Sequence, residues 1–153
     1  MYTTLFWIII AIITCDYLLN TYLDFLNKKQ SSKGIPTELK GLYDAEKVEQ
    51  QKEYFAANYK FAQASGLFSF LVMLLMFFLF GFAFFDNIAR GMSDNTILIA
   101  LLFFGMLYIA NDLITIPFAY YKPFKIEERF GFNKMTPKLF VTDILKEWIM
   151  AAL

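Results

Sequence analysis

Two short sets of polar side chains lie within otherwise apolar stretches, and their types and spacing are the features of this sequence that bear most directly on chemistry. In the first stretch Asp16, Asn20 and Asp24 recur every fourth residue, so they share one face of a helix. A carboxylate in contact with hydrocarbon is costly, so this face must meet protein or water. Asp16 and Asn20 therefore line a water-filled chamber or substrate path, or they hydrogen-bond to a neighbouring helix, and the sequence favours neither. For Asp24, helix pairing or snorkelling to the interface is favoured.

The second set lies near the end of a later apolar stretch. Tyr108, Asp112 and Thr115 share a helix face, and Asn111 is beside them. Their closeness to Pro117 allows a structural interpretation, in which they satisfy backbone carbonyls that the proline leaves unpaired. We favour the other interpretation, in which these four side chains line the same kind of chamber.

No catalytic or metal-binding residue is predicted in this chain. The sequence contains no His and a single Cys, Cys15. Zinc sites of recognised spacing and His-dependent nucleophiles are therefore excluded. We expect no cofactor in the chain itself. Because Lys plus Arg equals Asp plus Glu, at 14 each, a nucleic-acid partner is not expected either.

The elements that position these residues are membrane helices. The chain is 58% hydrophobic and 18% charged, whereas soluble proteins are about 45–50% apolar and about 25% charged. Apolar stretches of spanning length occupy about 5–26, 67–85 and 97–116, and a fourth, too short to span, begins after Pro137 and covers 138–153. The predicted fold is all-α, a polytopic transmembrane helical bundle with three full spans and the start of a fourth. Since the chain stops inside that helix, we expect a truncated N-terminal membrane domain.

Charge predicts the orientation and turn residues predict the connections. Seven Lys lie in the loop 27–66 and five Lys or Arg in the loop 121–138, against one Arg between the second and third spans. This asymmetry predicts cytoplasmic basic loops and an outside N-terminus. Within the first loop Asp44 is expected to cap a helix that runs from Ala45 into the second span. The segment 87–95 is predicted to be an external turn, with Asp94 or Asn95 capping the third span. That span should kink or end at Pro117, and Thr136 followed by Pro137 predicts the start of the last helix.

One segment resembles a known family. The residues of 126–134 read IEERFGFNK, followed by Thr136, Phe140 and Asp143. This pattern is similar to the signature after the third membrane helix of type I CAAX prenyl proteases. The segments 36–39 (PTEL) and 43–47 (YDAEK), with Gln51, Tyr54 and Phe61, are similar to the part of that family that precedes the second helix.

The resemblance implies an integral-membrane zinc metalloprotease whose helices enclose a large water-filled chamber. Members cleave isoprenylated CAAX proteins and other membrane-associated substrates. They hold zinc with a His-Glu-x-x-His helix and a later Glu, all beyond the region matched here, so no catalytic or metal residue carries over. Zinc is expected only in a full-length protein, and whether this chain is part of an enzyme depends on that continuation.

The charged and aromatic segment also has a physical interpretation of its own. It alternates ionic and aromatic groups around a glycine, which suits a loop that docks against another domain. With the resemblance, docking to a protease domain is favoured over a loop solvated among headgroups. The candidate docking residues are Glu127, Glu128, Arg129, Phe130, Gly131, Phe132, Asn133 and Lys134.

The predicted function is that of the membrane-embedded N-terminal domain of a CAAX-type zinc metalloendopeptidase. The chain would contribute chamber wall and docking surface, and its partners would be the lipid bilayer, the missing C-terminal protease domain and a membrane-associated or prenylated peptide substrate. The alternative is a free-standing, non-enzymatic membrane module that binds a partner protein.

Overall fold

A computed structural model of the protein describes residues 3–31 and 45–151. Every regular element in these residues is a helix, which confirms the all-α prediction. The chain divides into two compact units, residues 1–111 and 112–153. The segment 36–39 and the predicted cap Asp44 lie outside the described residues.

Two long antiparallel helices form the main part of the first unit. Helix α1 covers Thr4–Ser31 and helix α2 covers Ala45–Phe78. Near one end of the pair the Phe6 ring lies 5.4 Å from the Phe78 ring, and further along the Tyr17 and Phe70 rings stack at 4.3 Å. Aromatic pairs of this kind contribute about 0.5–1.5 kcal/mol beyond their buried area. The pairing of early α1 residues with late α2 residues defines an antiparallel hairpin.

Helix α2 runs from Ala45 into the second apolar stretch, but it does not continue to residue 85. The sequence predicted one helix over 67–85, whereas the structure ends α2 at Phe78 and begins α3 at Gly81. Phe80 adopts a left-handed conformation with φ 57°, which interrupts the helix. A Cβ at Gly81 would overlap the Met76 side chain, so the absence of a side chain there permits the close approach of the two segments.

Helix α3 occupies Gly81–Met92 and replaces most of the turn predicted over 87–95. Arg90 Nε donates a hydrogen bond of 2.8 Å to Asp86 Oδ2 one turn earlier. This bond and the Asp86 charge raise the pKa of the Arg90 guanidinium. The turn is therefore confined to 93–95, and the (i, i+4) ion pair supports the helix that occupies the rest of the predicted turn.

Helix α4 covers Thr96–Tyr121 and begins as predicted. Asn95 Oδ1 accepts hydrogen bonds from the backbone N–H groups of Ile97 and Leu98, at 2.9 and 3.2 Å. The helix does not end at Pro117, which lies inside it. It continues to Tyr121 and then widens into a π-helical turn over Lys122–Glu127.

Helix α5 covers Pro137–Ala151 in the second unit. The Thr136 hydroxyl accepts a hydrogen bond of 3.2 Å from the backbone N–H of Leu139, so Thr136 caps the helix and Pro137 occupies its first position. The predicted start signal is confirmed.

Burial within the described residues is slight. Only Ala89, Ile126 and Phe130 are buried there, whereas large apolar side chains along α1, α2 and α4 remain exposed, among them Leu19, Leu75 and Leu101. Contiguous apolar surface of this extent is expected on helices surrounded by lipid.

Candidate functional site

The segment between α4 and α5 is ordered by its own backbone. The π-helical turn is followed by a left-handed glycine, Gly131, with φ 74°. The N–H of Phe132 donates to the carbonyl of Glu127 at 2.9 Å, and the N–H of Gly131 donates to the carbonyl of Glu128 at 3.1 Å. These two bonds form a Schellman motif, in which the glycine ends the helix and satisfies its last carbonyls.

Side-chain hydrogen bonds fix the chain beyond the glycine. Asn133 Nδ2 donates to Glu128 Oε2 at 2.7 Å, and Asn133 Oδ1 accepts from the backbone N–H of Met135 at 2.7 Å. The single asparagine thus ties the end of the π-helical turn to the approach of α5. The backbone conformation of the candidate docking segment is therefore fixed by hydrogen bonds.

A small apolar core lies beneath this segment. Ile126 and Phe130 are 6% and 7% exposed, respectively. Nearby, the rings of Tyr120 and Phe124 stack at 4.4 Å, and the Phe140 ring of α5 lies 5.6 Å from Tyr120 and 5.9 Å from Phe124.

The candidate docking residues therefore divide into two groups. Phe130 is buried within the unit, and Asn133 and Glu128 bond to each other, so these three hold the segment in shape. Arg129, Phe132 and Lys134 are exposed and present a guanidinium, an aromatic ring and an ammonium group. Glu127 is half-buried and contributes its carbonyl to the glycine motif.

Asp112 has a partner that the sequence analysis did not identify. The Trp148 indole Nε1 on α5 donates a hydrogen bond to Asp112 Oδ2, and both side chains are half-buried. A buried indole N–H usually finds an acceptor, so the single Trp in the last helix was the available signal. Three residues further along α4, the Thr115 hydroxyl donates a hydrogen bond of 3.1 Å to the Asp112 backbone carbonyl. Both residues thus take part in structural hydrogen bonds of the second unit.

The remaining two candidates on α4 are exposed. The side chain of Tyr108 is 44% exposed, and that of Asn111 is exposed as well.

The polar stripe on α1 contains two different environments. Asp16 and Asn20 are exposed, and Asn20 Nδ2 donates to Asp16 Oδ2 at 3.1 Å within the helix. Asp24 instead accepts a hydrogen bond of 3.0 Å from Gln63 Nε2 on α2, and the Lys28 ammonium lies 4.5 Å from the centroid of the Tyr59 ring. Asp24 is therefore an interhelical contact, in agreement with the favoured interpretation, and its partner Gln63 was not predicted.

No group of three or more Cys, Asp and Glu side chains within 3–31 and 45–151 could hold a metal ion.

In the described part of the chain, three helices are long and apolar enough to cross a membrane: Thr4–Gln30, Glu46–Phe78 and Thr96–Glu127. With the exposed apolar surface of these helices, this places the chain in the class of polytopic α-helical integral membrane proteins.

The particular family follows from comparison with known proteins. Residues 24–153 match the family model described as CAAX prenyl protease N-terminal, with five membrane helices. The chain belongs to this family, and the resemblance carried by 126–134 is confirmed.

Similar proteins agree in sequence and in fold. The chain is 27% identical over 145 residues to a CAAX prenyl protease 1 homolog of Dictyostelium discoideum, covering 90% of this chain and 34% of that relative. It is 40% identical over 57 residues to CAAX prenyl protease 1 of Saccharomyces cerevisiae, covering 37% of this chain and 13% of the yeast protein. The crystal structure of S. mikatae Ste24p matches with a TM-score of 0.89 and 28% identity, covering 98% of this chain and 36% of that one. The chain thus spans about a third of the length of the Dictyostelium relative and of the Ste24p chain.

Proposed function

We propose that this chain acts as the membrane-embedded N-terminal domain of a CAAX-type zinc metalloendopeptidase. The observation that carries the proposal is the family match over 24–153. In this arrangement a protease domain supplies the zinc site and the peptide chemistry, and a prenylated or membrane-associated peptide is the substrate. This chain contributes part of the wall of a water-filled chamber and a docking surface for the protease domain.

The docking surface for the protease domain is the segment between α4 and α5. Arg129, Phe132 and Lys134 are exposed on a backbone held by the Gly131 motif and by Asn133. A rigid segment that presents an aromatic ring between two cations loses little conformational entropy on binding, and such residues commonly dominate interface energetics. Phe132, rather than the buried Phe130, would be the aromatic anchor.

The wall is formed by polar side chains on membrane helices. Asp16 and Asn20 on α1, and Tyr108 and Asn111 on α4, are exposed. Polar groups in this position are stable when they face water, which the interior of a hydrated chamber would provide. Asp112 and Thr115 would contribute to the wall mainly by holding helices in place, since both already make hydrogen bonds within their own unit.

The orientation that fits this role has the N-terminus outside and the basic loops 27–66 and 121–138 in the cytoplasm. Its support is the distribution of Lys and Arg. The docking segment and the protease domain would then meet on the cytoplasmic side of the membrane.

A chimeric enzyme tests the proposal. The matching N-terminal region of the Saccharomyces cerevisiae relative is replaced by this chain, and cleavage of a farnesylated CAAX peptide is measured in membranes. We expect cleavage that a zinc chelator abolishes. Phe132→Ala should lower the rate several-fold, whereas Phe104→Ala, at an exposed ring on α4 outside the docking segment, should leave it unchanged.

The failure of the chimera would be informative only if the protein is present and folded. Its abundance and its helical content in detergent are therefore measured alongside cleavage. A folded, abundant chimera that does not cleave the peptide would contradict the proposal and favour a free-standing partner-binding module. Equal losses for Phe132→Ala and Phe104→Ala would contradict the docking surface alone.

A further inference from the structure

Helix α3 has three distinct sides. On one side Ala89 is fully buried, and the Phe82 ring lies 5.0 Å from the Phe77 ring of α2. On a second side Phe84, Ile88 and Met92 follow one another at intervals of four residues and are 60%, 37% and 63% exposed. Asp86, Asn87 and Arg90 carry the polar side, where the ion pair lies.

The exposed apolar side is narrow and continuous. Steps of four residues advance by about 40° around a helix, so the three apolar side chains cover a stripe about 80° wide. Asp86 and Arg90 lie about 160° from the middle of this stripe and Asn87 about 100° from it, an arrangement typical of helices that rest at a membrane surface. Among the described residues of its unit, this apolar stripe stays exposed.

The position of α3 along the chain sets its depth. On α1 and α2 the Lys28 ammonium beside the Tyr59 ring marks one boundary of the membrane, since a cation belongs at headgroup level. From Tyr59 to Phe78 helix α2 rises about 28 Å, close to the hydrocarbon thickness of about 30 Å. Phe78 therefore lies near the opposite boundary, where Trp7 of α1 also contacts it with ring centroids 6.3 Å apart.

Short connections keep α3 at that boundary. Only Leu79 and Phe80 separate it from α2, and only 93–95 separate it from the spanning helix α4. The helix has 12 residues and is about 18 Å long, too short to cross the bilayer itself. It is held where hydrocarbon gives way to headgroups.

We infer that α3 is an interfacial helix that binds the lipid surface, on the face of the membrane opposite to the loop between α1 and α2. Phe84, Ile88 and Met92 enter the acyl-chain boundary, and Asp86, Asn87 and Arg90 remain in water. The partner is the bilayer itself, and the inference does not depend on any protease domain. The contact anchors the turn between the second and third spans at a fixed depth.

Site-directed spin labelling of the chain in phosphatidylcholine vesicles tests this assignment. A nitroxide is attached, in a Cys15→Ser background, to the single variants Phe84→Cys, Ile88→Cys and Met92→Cys. Asn87→Cys on the polar side is the matched control, and Leu101→Cys on α4 is the reference for hydrocarbon. Collision with oxygen, which concentrates in lipid, is compared with collision with a water-soluble nickel chelate.

We expect oxygen collisions to exceed nickel collisions several-fold at positions 84, 88 and 92, though less than at 101, and the ratio to invert at 87. Nickel access at all four α3 positions would show a helix in water and overturn the inference. Protection from both reagents at 84, 88 and 92 would show that protein covers the stripe and would overturn it as well. If Phe84→Cys does not fold, the exposed positions 88 and 92 still decide the outcome.

Discussion

At the residue scale, the polar side chains inside the membrane helices separate by what they contact. The four-residue spacing of Asp16, Asn20 and Asp24 predicted one shared face, yet only Asp24 meets a side chain of α2. The difference arises because α2 contacts only part of the polar face of α1. The sequence of α1 alone does not reveal which of its residues lie opposite polar side chains of α2. Spacing predicts which residues align along a helix, and the packing of two helices decides which of them pair.

Asp24 and Asp16 form a matched pair for measuring this difference. Asp24→Leu removes the acceptor of an interhelical hydrogen bond and should lower the free energy of unfolding by about 0.6 kcal/mol, and by at most about 1.7 kcal/mol. Asp16→Leu removes only a contact along its own helix and should cost no more than about 0.5 kcal/mol. Unfolding in mixed micelles of increasing denaturing-detergent fraction measures both. A larger loss at Asp16 would show that its carboxylate pairs with another helix.

The hydrogen bond from Trp148 to Asp112 gives a sharper prediction. Asp112→Leu leaves the half-buried indole N–H without its acceptor and should lower the free energy of unfolding by about 1–3 kcal/mol. Asp112→Asn keeps a side-chain oxygen and should cost less. In the Asp112→Leu background, Trp148→Phe should add less than it costs alone, because the bond is already lost. Additive losses in this double-mutant cycle would contradict the contact.

At the element scale, helix starts were predicted more accurately than helix ends. Helices α4 and α5 begin at Thr96 and Pro137, where the capping residues Asn95 and Thr136 indicated. A start is encoded locally by one side chain that accepts backbone N–H bonds. The break after Phe78 was not predicted. It depends on the left-handed conformation of Phe80 and on the approach of Gly81 to Met76, and neither can be inferred from an apolar composition.

Two glycines in different helical contexts should respond oppositely to alanine. Gly131 has φ 74°, and although a Cβ there would meet no neighbour, its backbone conformation should make Gly131→Ala cost about 1–2 kcal/mol. Gly105 lies within α4 with open space around it, so Gly105→Ala should stabilise the helix by about 0.5–1 kcal/mol. Thermal unfolding in detergent, followed by circular dichroism, measures both. Stabilisation by Gly131→Ala would mean that the glycine motif does not form in solution.

At the scale of the whole molecule, composition and charge were sufficient to predict a polytopic helical membrane protein. They were sufficient because every backbone N–H and C=O group inside a bilayer must be hydrogen-bonded within the protein. Few structures achieve this, and the long apolar helix is the commonest of them. The hydrogen-bonded and aromatic contacts of the candidate site could not be predicted in the same way. The sequence analysis named Phe140 only as part of the family pattern, and the structure brings its ring together with those of Tyr120 and Phe124.

The proposed orientation can be tested by labelling single cysteines on the two sides of the membrane. In a Cys15→Ser background, a membrane-impermeant maleimide applied from the cytoplasmic side should label Ser31→Cys and not Ser93→Cys, since seven Lys lie in the loop 27–66 and one Arg in the loop that contains position 93. Application from the other side should reverse the pattern. Labelling of Ser93→Cys alone from the cytoplasm would refute the assignment and leave the fold unaffected.

The length of α2 has an electrostatic consequence. Its 34 residues extend about 51 Å, and the part before Lys60 rises up to about 22 Å beyond the hydrocarbon boundary. Ionic screening at physiological salt acts over about 8 Å. Glu46 and Lys47 at the start of the helix therefore lie outside the surface potential of the leaflet, whereas Lys28 and Lys60 lie within it. A change in the content of anionic lipid would therefore alter the electrostatic potential at Lys60 and not at Glu46. The start of α2 is thus electrostatically isolated from the charge of the membrane surface.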